Sequence, residues 1–185
     1  MRVISGKLKG KKLLPINELK IRPTSDRSKE SIFNTLNSIL IKKKINLEDM
    51  VVLDGFCGSG ALGIEAFSRG AKKIYFIDNC IKSLNLAKNN CSILQIVSFV
   101  KFLKFNLLEP VNKQINADLF FLDPPYSFIN HKEILNKIYT ENLVSKKSIG
   151  VLEFSKNKRL SKIENFNIIQ EKIISNSVFF FLEAK

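Results

Sequence analysis

The stretch Asp123-Pro124-Pro125-Tyr126 sets an acid, two prolines and an aromatic ring directly after the apolar run Leu119-Phe120-Phe121-Leu122. It therefore falls where a buried strand should end, and open α/β sheets place their chemistry at such ends. The prolines fix φ at about −65° and remove two backbone donors. The carbonyls of Asp123 and Pro124 are then acceptors with no helix to absorb them. Beside them the Asp123 carboxylate only accepts, and Tyr126 offers a flat apolar face. A planar group bearing an NH2 fits this set: its two N–H bonds go to Asp123 and the Pro124 carbonyl, and its ring lies on Tyr126. An isolated Pro-Pro after a strand is equally a stiff loop, so the chemical reading needs a second motif.

That motif is Leu53-Asp54-Gly55-Phe56-Cys57-Gly58-Ser59-Gly60-Ala61-Leu62-Gly63, an apolar strand running into a glycine-rich turn and a helix start. Gly58 and Gly60 let a ligand approach the backbone, and the helix N-terminus presents amide groups. The run also satisfies the dinucleotide pattern GxGxxG, which keeps a nicotinamide oxidoreductase in view. Asp54 separates the ligand classes, because a fixed carboxylate there repels a pyrophosphate. It suits a cation, and S-adenosyl-L-methionine carries a sulfonium and an ammonium group. Asp78, ending a second strand, is expected to accept from ribose hydroxyls. Asn106, after a third strand over residues 99–105, is expected to pair with an adenine edge.

The elements that must hold these residues follow from periodicity. Residues 1–14 read as a small β-hairpin with a basic tip, carrying Arg2, Lys7, Lys9, Lys11 and Lys12. With Arg22 and Arg27 this is the most basic non-helical region, and its charge is useful against phosphate. Ile32, Phe33, Leu36, Ile39 and Leu40 give a helix one apolar face, with Thr24, Ser25 or Asp26 as its cap and Lys42-Lys43-Lys44 as a solvated end. Further strands are expected over 148–154, 166–174 and 178–182, the last two joined by Ser175-Asn176-Ser177. Helices are expected near Ile81, with Leu84, Ala87 and Cys91 inward, and around Ile134, Leu135 and Ile138. The fold class is α/β: a Rossmann-like, mostly parallel seven-stranded sheet with helices on both faces and a C-terminal antiparallel hairpin. Residues 1–20 form the basic extension and 21–185 the main domain.

Composition narrows the function. The formal net charge is +13 and the pI about 9.7, which points to a polyanion such as nucleic acid. No run of apolar residues is long enough to span a membrane, and no secretory signal precedes the first motif, so a cytoplasmic protein is expected. Cys57, Cys80 and Cys91 form no CxxC pair and are expected to stay reduced. With His131 the single histidine, expected to be solvated, no metal site is expected. A monomer is expected.

With these residues in hand the sequence resembles the class I S-adenosylmethionine-dependent methyltransferases. Within them it resembles the RsmD family, which methylates the exocyclic N2 of a guanine in 16S rRNA of the bacterial small ribosomal subunit. The resemblance rests on Met1 to Gly6 with the basic hairpin, on Arg22-Pro23-Thr24-Ser25-Asp26-Arg27 running to Glu30 and Phe33-Asn34, and on the Leu53 to Gly63 and Asp123 to Tyr126 motifs. It implies that Asp54, Phe56, Gly58 and Gly60 line the methionine and ribose part of the cofactor, Asp78 its ribose, and Asn106 with Leu107 its adenine. It implies too that Arg22, Thr24 and Arg27 pack over the substrate mouth, and that the substrate is the assembled subunit in place of naked RNA. Two departures stand out: Asn106 replaces the acid of many class I enzymes, and Ser175-Asn176 lies where relatives often have Gly. The alternatives are an adenine-N6 DNA or RNA methyltransferase, since Asp-Pro-Pro-Tyr is shared with such enzymes, and a non-catalytic RNA-binding or ribosome-assembly protein on the same fold.

Overall fold

In the computed structural model, residues 1–15, 25–125, 128–156 and 163–185 are described. Helix α1 (Asp26–Lys43) starts at the Ser25 cap, whose side chain accepts the Ser28 N–H at 3.0 Å. It buries the five apolar residues that its spacing predicts. The lysines at its end are not all free in solvent, since Lys43 pairs with Glu183 at 2.6 Å.

Strand β1 (Val51–Gly55), helix α2 (Ala61–Ser68), strand β2 (Lys73–Asp78), helix α3 (Ile81–Ile93) and strand β3 (Val100–Lys104) follow in alternation. Then come β4 (Ala117–Leu122), helix α4 (His131–Thr140), β5 (Val144–Ser155), β6 (Phe166–Ile174) and β7 (Ser177–Ala184). The seven strands lie in the order β3-β2-β1-β4-β5-β7-β6. Pairing is parallel from β3 to β5, and β7 enters antiparallel between β5 and β6. β5 is longer than its apolar run predicts, because Lys147 at φ 65° and a register shift opposite β4 admit the polar residues 145–148 to the strand. The closing turn passes through Ser175 at φ 55°, a conformation glycine adopts without steric cost.

Alternation along the strands sorts side chains into two cores. Phe121, Phe179 and Phe181 face α1, α2 and α3, whereas Phe120, Leu122, Phe180 and Leu182 face α4 and the chain after β3. The sheet is thus wound on both sides. Cys57 and Cys91 are buried and Cys80 is half-buried, all three as thiols. Among the described residues no helix is long and apolar enough to cross a membrane.

The N-terminal hairpin differs from expectation. It holds only one bridge, Arg2 to Lys12, closed by Val3 N–H to the Lys11 carbonyl at 2.9 Å and Gly10 N–H to the Val3 carbonyl at 2.9 Å. It is not a free extension, because Val3 and Leu13 belong to the main core. The expected boundary at residue 20 lies outside the described residues. The arm lies along α2, where the wholly buried Glu65 accepts the N–H groups of Ile4 at 2.8 Å and Ser5 at 3.0 Å and pairs with Arg69 at 2.8 Å. Gly6 approaches so closely that a Cβ would meet the Ser68 carbonyl oxygen at 1.8 Å. A second buried charge, Lys29, donates to the Arg2 carbonyl and lies 3.5 Å from Asp26, while burial lowers its pKa.

Removing a partner from such a buried set leaves the rest unpaired, at a cost of about 3–5 kcal/mol. Glu65→Ala should lose about that much stability in urea unfolding, and a loss below about 1 kcal/mol would show that the arm is held by its apolar contacts alone.

Candidate active site

Parallel pairing of β1 with β4 places Gly55 opposite Leu122. The chain therefore leaves β1 at Phe56 and β4 at Asp123 on neighbouring strands, about 4.8 Å apart by sheet geometry. Gly55 is bare because Leu122 and Leu107 close over it, each within 3 Å of where a Cβ would stand. Beyond it Phe56, Gly58 and Gly60 all take positive φ, at 58°, 53° and 77°. These three left-handed residues turn the chain sharply into α2.

The donors of this turn are largely consumed by the protein's own acids. Gly58 N–H donates to Asp78 Oδ2 at 3.1 Å, and Gly63 N–H to Asp54 Oδ2 at 2.8 Å. A dinucleotide pyrophosphate needs such amides at the helix start, and here two carboxyls already hold them. Gly63, the third glycine of the pattern, serves packing, since a Cβ there would meet Phe76 at 2.5 Å and Ile74 at 2.8 Å.

Asp54 corrects an expectation. It is 2% exposed, so its side chain braces the loop from beneath and does not face the mouth as an anion. Burial pushes its carboxyl up to about 8, helped by the charge of Asp78 and opposed by the Gly63 N–H. Burial thus favours the uncharged acid, and the side chain's visible contact is with the Gly63 amide.

Beside the loop a shallow open cleft is lined by Phe56, Ile77, Asp78, Asn79, Phe105, Asn106 and Leu107. Four of these, Phe56, Asp78, Asn106 and Leu107, are residues the sequence singles out. Ile77, Asn79 and Phe105 are not, although each adjoins one that is. Asp78 spends one lone pair of each oxygen on the backbone, with Oδ1 taking the Cys80 N–H at 2.9 Å. A carboxylate has about four such sites, which leaves acceptors for a vicinal diol. Asn106 is more committed than expected: its Oδ1 accepts the Leu108 N–H at 3.1 Å and its NH2 donates to Glu109 Oε1 at 3.5 Å, which leaves one amide N–H for a ligand.

At the acid corner Asp123 is half-buried, Pro124 is buried and Pro125 is exposed. The Phe128 N–H donates to the Pro125 carbonyl at 2.8 Å, while Tyr126 lies outside the described residues. Phe128 also packs edge-on against Phe56 at 5.2 Å, so the corner and the cleft share an aromatic wall. His131 extends that wall. Expected to be solvated, it is 6% exposed, stacked on Phe154 at 3.8 Å and edge-on to Phe128 at 5.1 Å.

The basic residues do not converge. Arg2 pairs with Asp26 at 3.0 Å, and Lys7 sits over the Phe67 ring at 3.6 Å. The Lys7 N–H bonds the Ser68 carbonyl, so the tip with Lys7 and Lys9 lies by the far end of α2, about 12 Å along the helix from the glycine loop. Lys9, Lys11, Lys12 and Arg27 are exposed, and Arg22 and Thr24 lie outside the described residues. Among the described residues no cluster could hold a metal ion.

The family described as conserved hypothetical protein 95 matches residues 1–183 of this chain. The ribosomal RNA small subunit methyltransferase D of Haemophilus influenzae is 32% identical over 176 residues, covering 93% of this chain and 88% of that protein. Among solved structures, a putative methyltransferase, yhhF, from Escherichia coli superposes with a TM-score of 0.82 at 24% identity, over 100% of this chain and 98% of that one. An RNA methyltransferase from Salinibacter ruber, in complex with S-adenosyl-L-homocysteine, gives 0.62 at 15% identity over 88% and 94%. Both structural likenesses establish the Rossmann-like methyltransferase fold.

A buried acid with a folded pKa near 8 and an ordinary value of 3.8 binds its proton more tightly in the folded state. Its contribution to stability is complete below the ordinary value and is lost as pH rises through that interval. Asp54→Asn should therefore flatten the decline in melting temperature between about pH 5 and pH 8. Parallel curves for the variant and the parent would show that Asp54 is ionised in the folded protein.

Proposed function

The chain belongs to the conserved hypothetical protein 95 family, that of the RsmD methyltransferases, and from that membership we propose that it methylates 16S rRNA of the small ribosomal subunit. The acceptor is the exocyclic N2 of a guanine and the donor is S-adenosyl-L-methionine. The observation that carries this reading is the adjacency, set by the β1–β4 register, of the lined cleft and the Asp123-Pro124 corner.

The residues present fit the donor. Asp78 would accept from its ribose diol, Phe105, Leu107 and Ile77 would enclose its adenine, and the Asn106 NH2 would donate to that ring. Phe56 and the Gly58–Gly60 backbone would line its methionine part. Bound there, the donor supplies an electrophilic methyl on a sulfonium.

This chain's own work is done at the corner. A guanine N2 is a weak nucleophile because its lone pair is delocalised into the ring. Asp123 and the Pro124 carbonyl accept its two N–H bonds, which lets the nitrogen leave planarity and turns its lone pair toward the cleft. Such alignment supplies roughly 7–11 kcal/mol of barrier reduction. The Asp123 carboxylate also stabilises the positive charge that grows on nitrogen, and it then takes the proton directly or through water. Tyr126 stacks on the extruded base, worth roughly 1–3 kcal/mol, and offsets part of the cost of unstacking it. The exposed cations Lys9, Lys11, Lys12 and Arg27 meet phosphate away from the corner.

The test is to incubate the protein with labelled S-adenosyl-L-methionine and unmodified small subunits and to identify the modified nucleoside by mass spectrometry. N2-methylguanosine is the expected product. N6-methyladenosine would move the chain to an adenine enzyme, and no transfer despite cofactor binding would make it an RNA-binding protein. Asp123→Ala should lower kcat by at least about a hundredfold while leaving the Kd for S-adenosyl-L-homocysteine within about twofold. Full activity would remove Asp123 from the chemistry.

A further inference from the structure

Asn90 stands on the inner face of α3, 1% exposed, and both ends of its carboxamide are used. Oδ1 accepts the Leu14 N–H at 2.7 Å, and Nδ2 donates to the Ser59 carbonyl at 2.9 Å. One side chain thus ties the end of the N-terminal arm to the middle of the glycine loop.

The position of that tie matters. Ser59 stands between Gly58 and Gly60, which adopt left-handed φ at no steric cost and could as readily adopt other values. Local sterics therefore define the loop poorly, and a fixed Ser59 carbonyl defines the peptide plane that enters α2. A second contact runs the same way, with the Ser59 hydroxyl donating to Met1 Sδ at 3.8 Å. The arm itself is anchored at its other end by Glu65 and Ser68 on α2. Arm and loop are two ends of one hydrogen-bonded frame whose connecting member is Asn90.

We propose that Asn90 is a positioning residue that couples the N-terminal arm to the cofactor loop, so that a docked arm and an occupied cleft favour each other. This rests on the cofactor reading given above. Asn90 touches neither cofactor nor substrate and acts through Ser59. The coupling is reciprocal, as any binding linkage must be. An RNA that draws on the arm, or on the chain beyond Leu14 that leads to Arg22 and Arg27, is thereby felt at the cleft.

A buried asparagine that is merely satisfied would affect stability alone, and a binding cycle distinguishes the two roles. The Kd for S-adenosyl-L-homocysteine is measured by calorimetry on the full chain as wild type, Asn90→Ala, Leu14→Pro and the double variant, at a temperature where circular dichroism shows all four folded. Losing the tie should weaken binding about tenfold in Asn90→Ala, the equivalent of one buried hydrogen bond. Leu14→Pro removes the arm's N–H together with the exposed Leu14 side chain, and fixes φ there; it should weaken binding several-fold in the wild-type background and not at all in the Asn90→Ala background. Asn90→Asp, which keeps the acceptor for Leu14 and loses the donor to Ser59, should behave as Asn90→Ala does and serves where alanine does not fold. Wild-type affinity in Asn90→Ala and Asn90→Asp, with a lowered melting temperature, would overturn the coupling. So would strictly additive effects of Asn90→Ala and Leu14→Pro. No binding of S-adenosyl-L-homocysteine to the wild type would overturn the cofactor reading and the coupling with it, a result distinct from the other two.

Discussion

The site exists because β1 and β4 run parallel, side by side, with Gly55 level with Leu122. Phe56, the glycine loop and the Asp123-Pro124 corner are then placed by where those two strands stop, while the ends of β2 and β3 bring Asp78 and Asn106 to the same edge. The register is fixed by buried side chains on both faces, Val52 with Leu119 and Phe121 on one and Leu53 with Phe120 and Leu122 on the other. A slip by one residue would exchange the two faces throughout the pair. It is stapled at the opposite end, where Asp118 accepts the Val51 N–H at 3.0 Å. The register thus sets the cleft and the acid corner a strand apart.

Around that pair the protein spends its acids on geometry. Asp54 and Asp78 hold the glycine loop by its own amides, and Glu65 holds the arm by the amides of Ile4 and Ser5. An acid that accepts backbone N–H groups inside a protein orders a segment that side-chain packing cannot reach, because glycine-rich and extended backbone has little else to grip. The same economy explains why the loop does not need an anionic ligand. Its Gly58 and Gly63 amides are taken before any ligand arrives, and recognition passes to the cleft walls and to the remaining lone pairs of Asp78.

Much of this was legible in the residues. The apolar runs predict all seven strands, the 3.6-residue spacing predicts the buried face of α1, and the glycine and Asp-Pro-Pro motifs fall at the ends of β1 and β4. What was hidden is tertiary. His131 is buried among aromatic rings, one of which, Phe154, comes twenty-three residues later. Asp54 reads as a charge facing a ligand until the sheet shows it buried beneath the loop. Glu65 carried a usable signal, a lone acid in the apolar helix Ala61–Ser68, which sequence reasoning passed over. Asn90 carried none, since its partners are backbone groups of distant segments. The arm's course along α2 depends on the close approach of Gly6 to Ser68, which no local pattern announces.

The most direct test of this arrangement is a crystal structure of the protein with S-adenosyl-L-methionine bound. The register predicts adenine and ribose between Phe105, Leu107 and Asp78, with the sulfonium methyl opening toward the Asp123 carboxylate and the Pro124 carbonyl. A donor seated elsewhere, or one whose methyl points back toward β2 and β3, would contradict it.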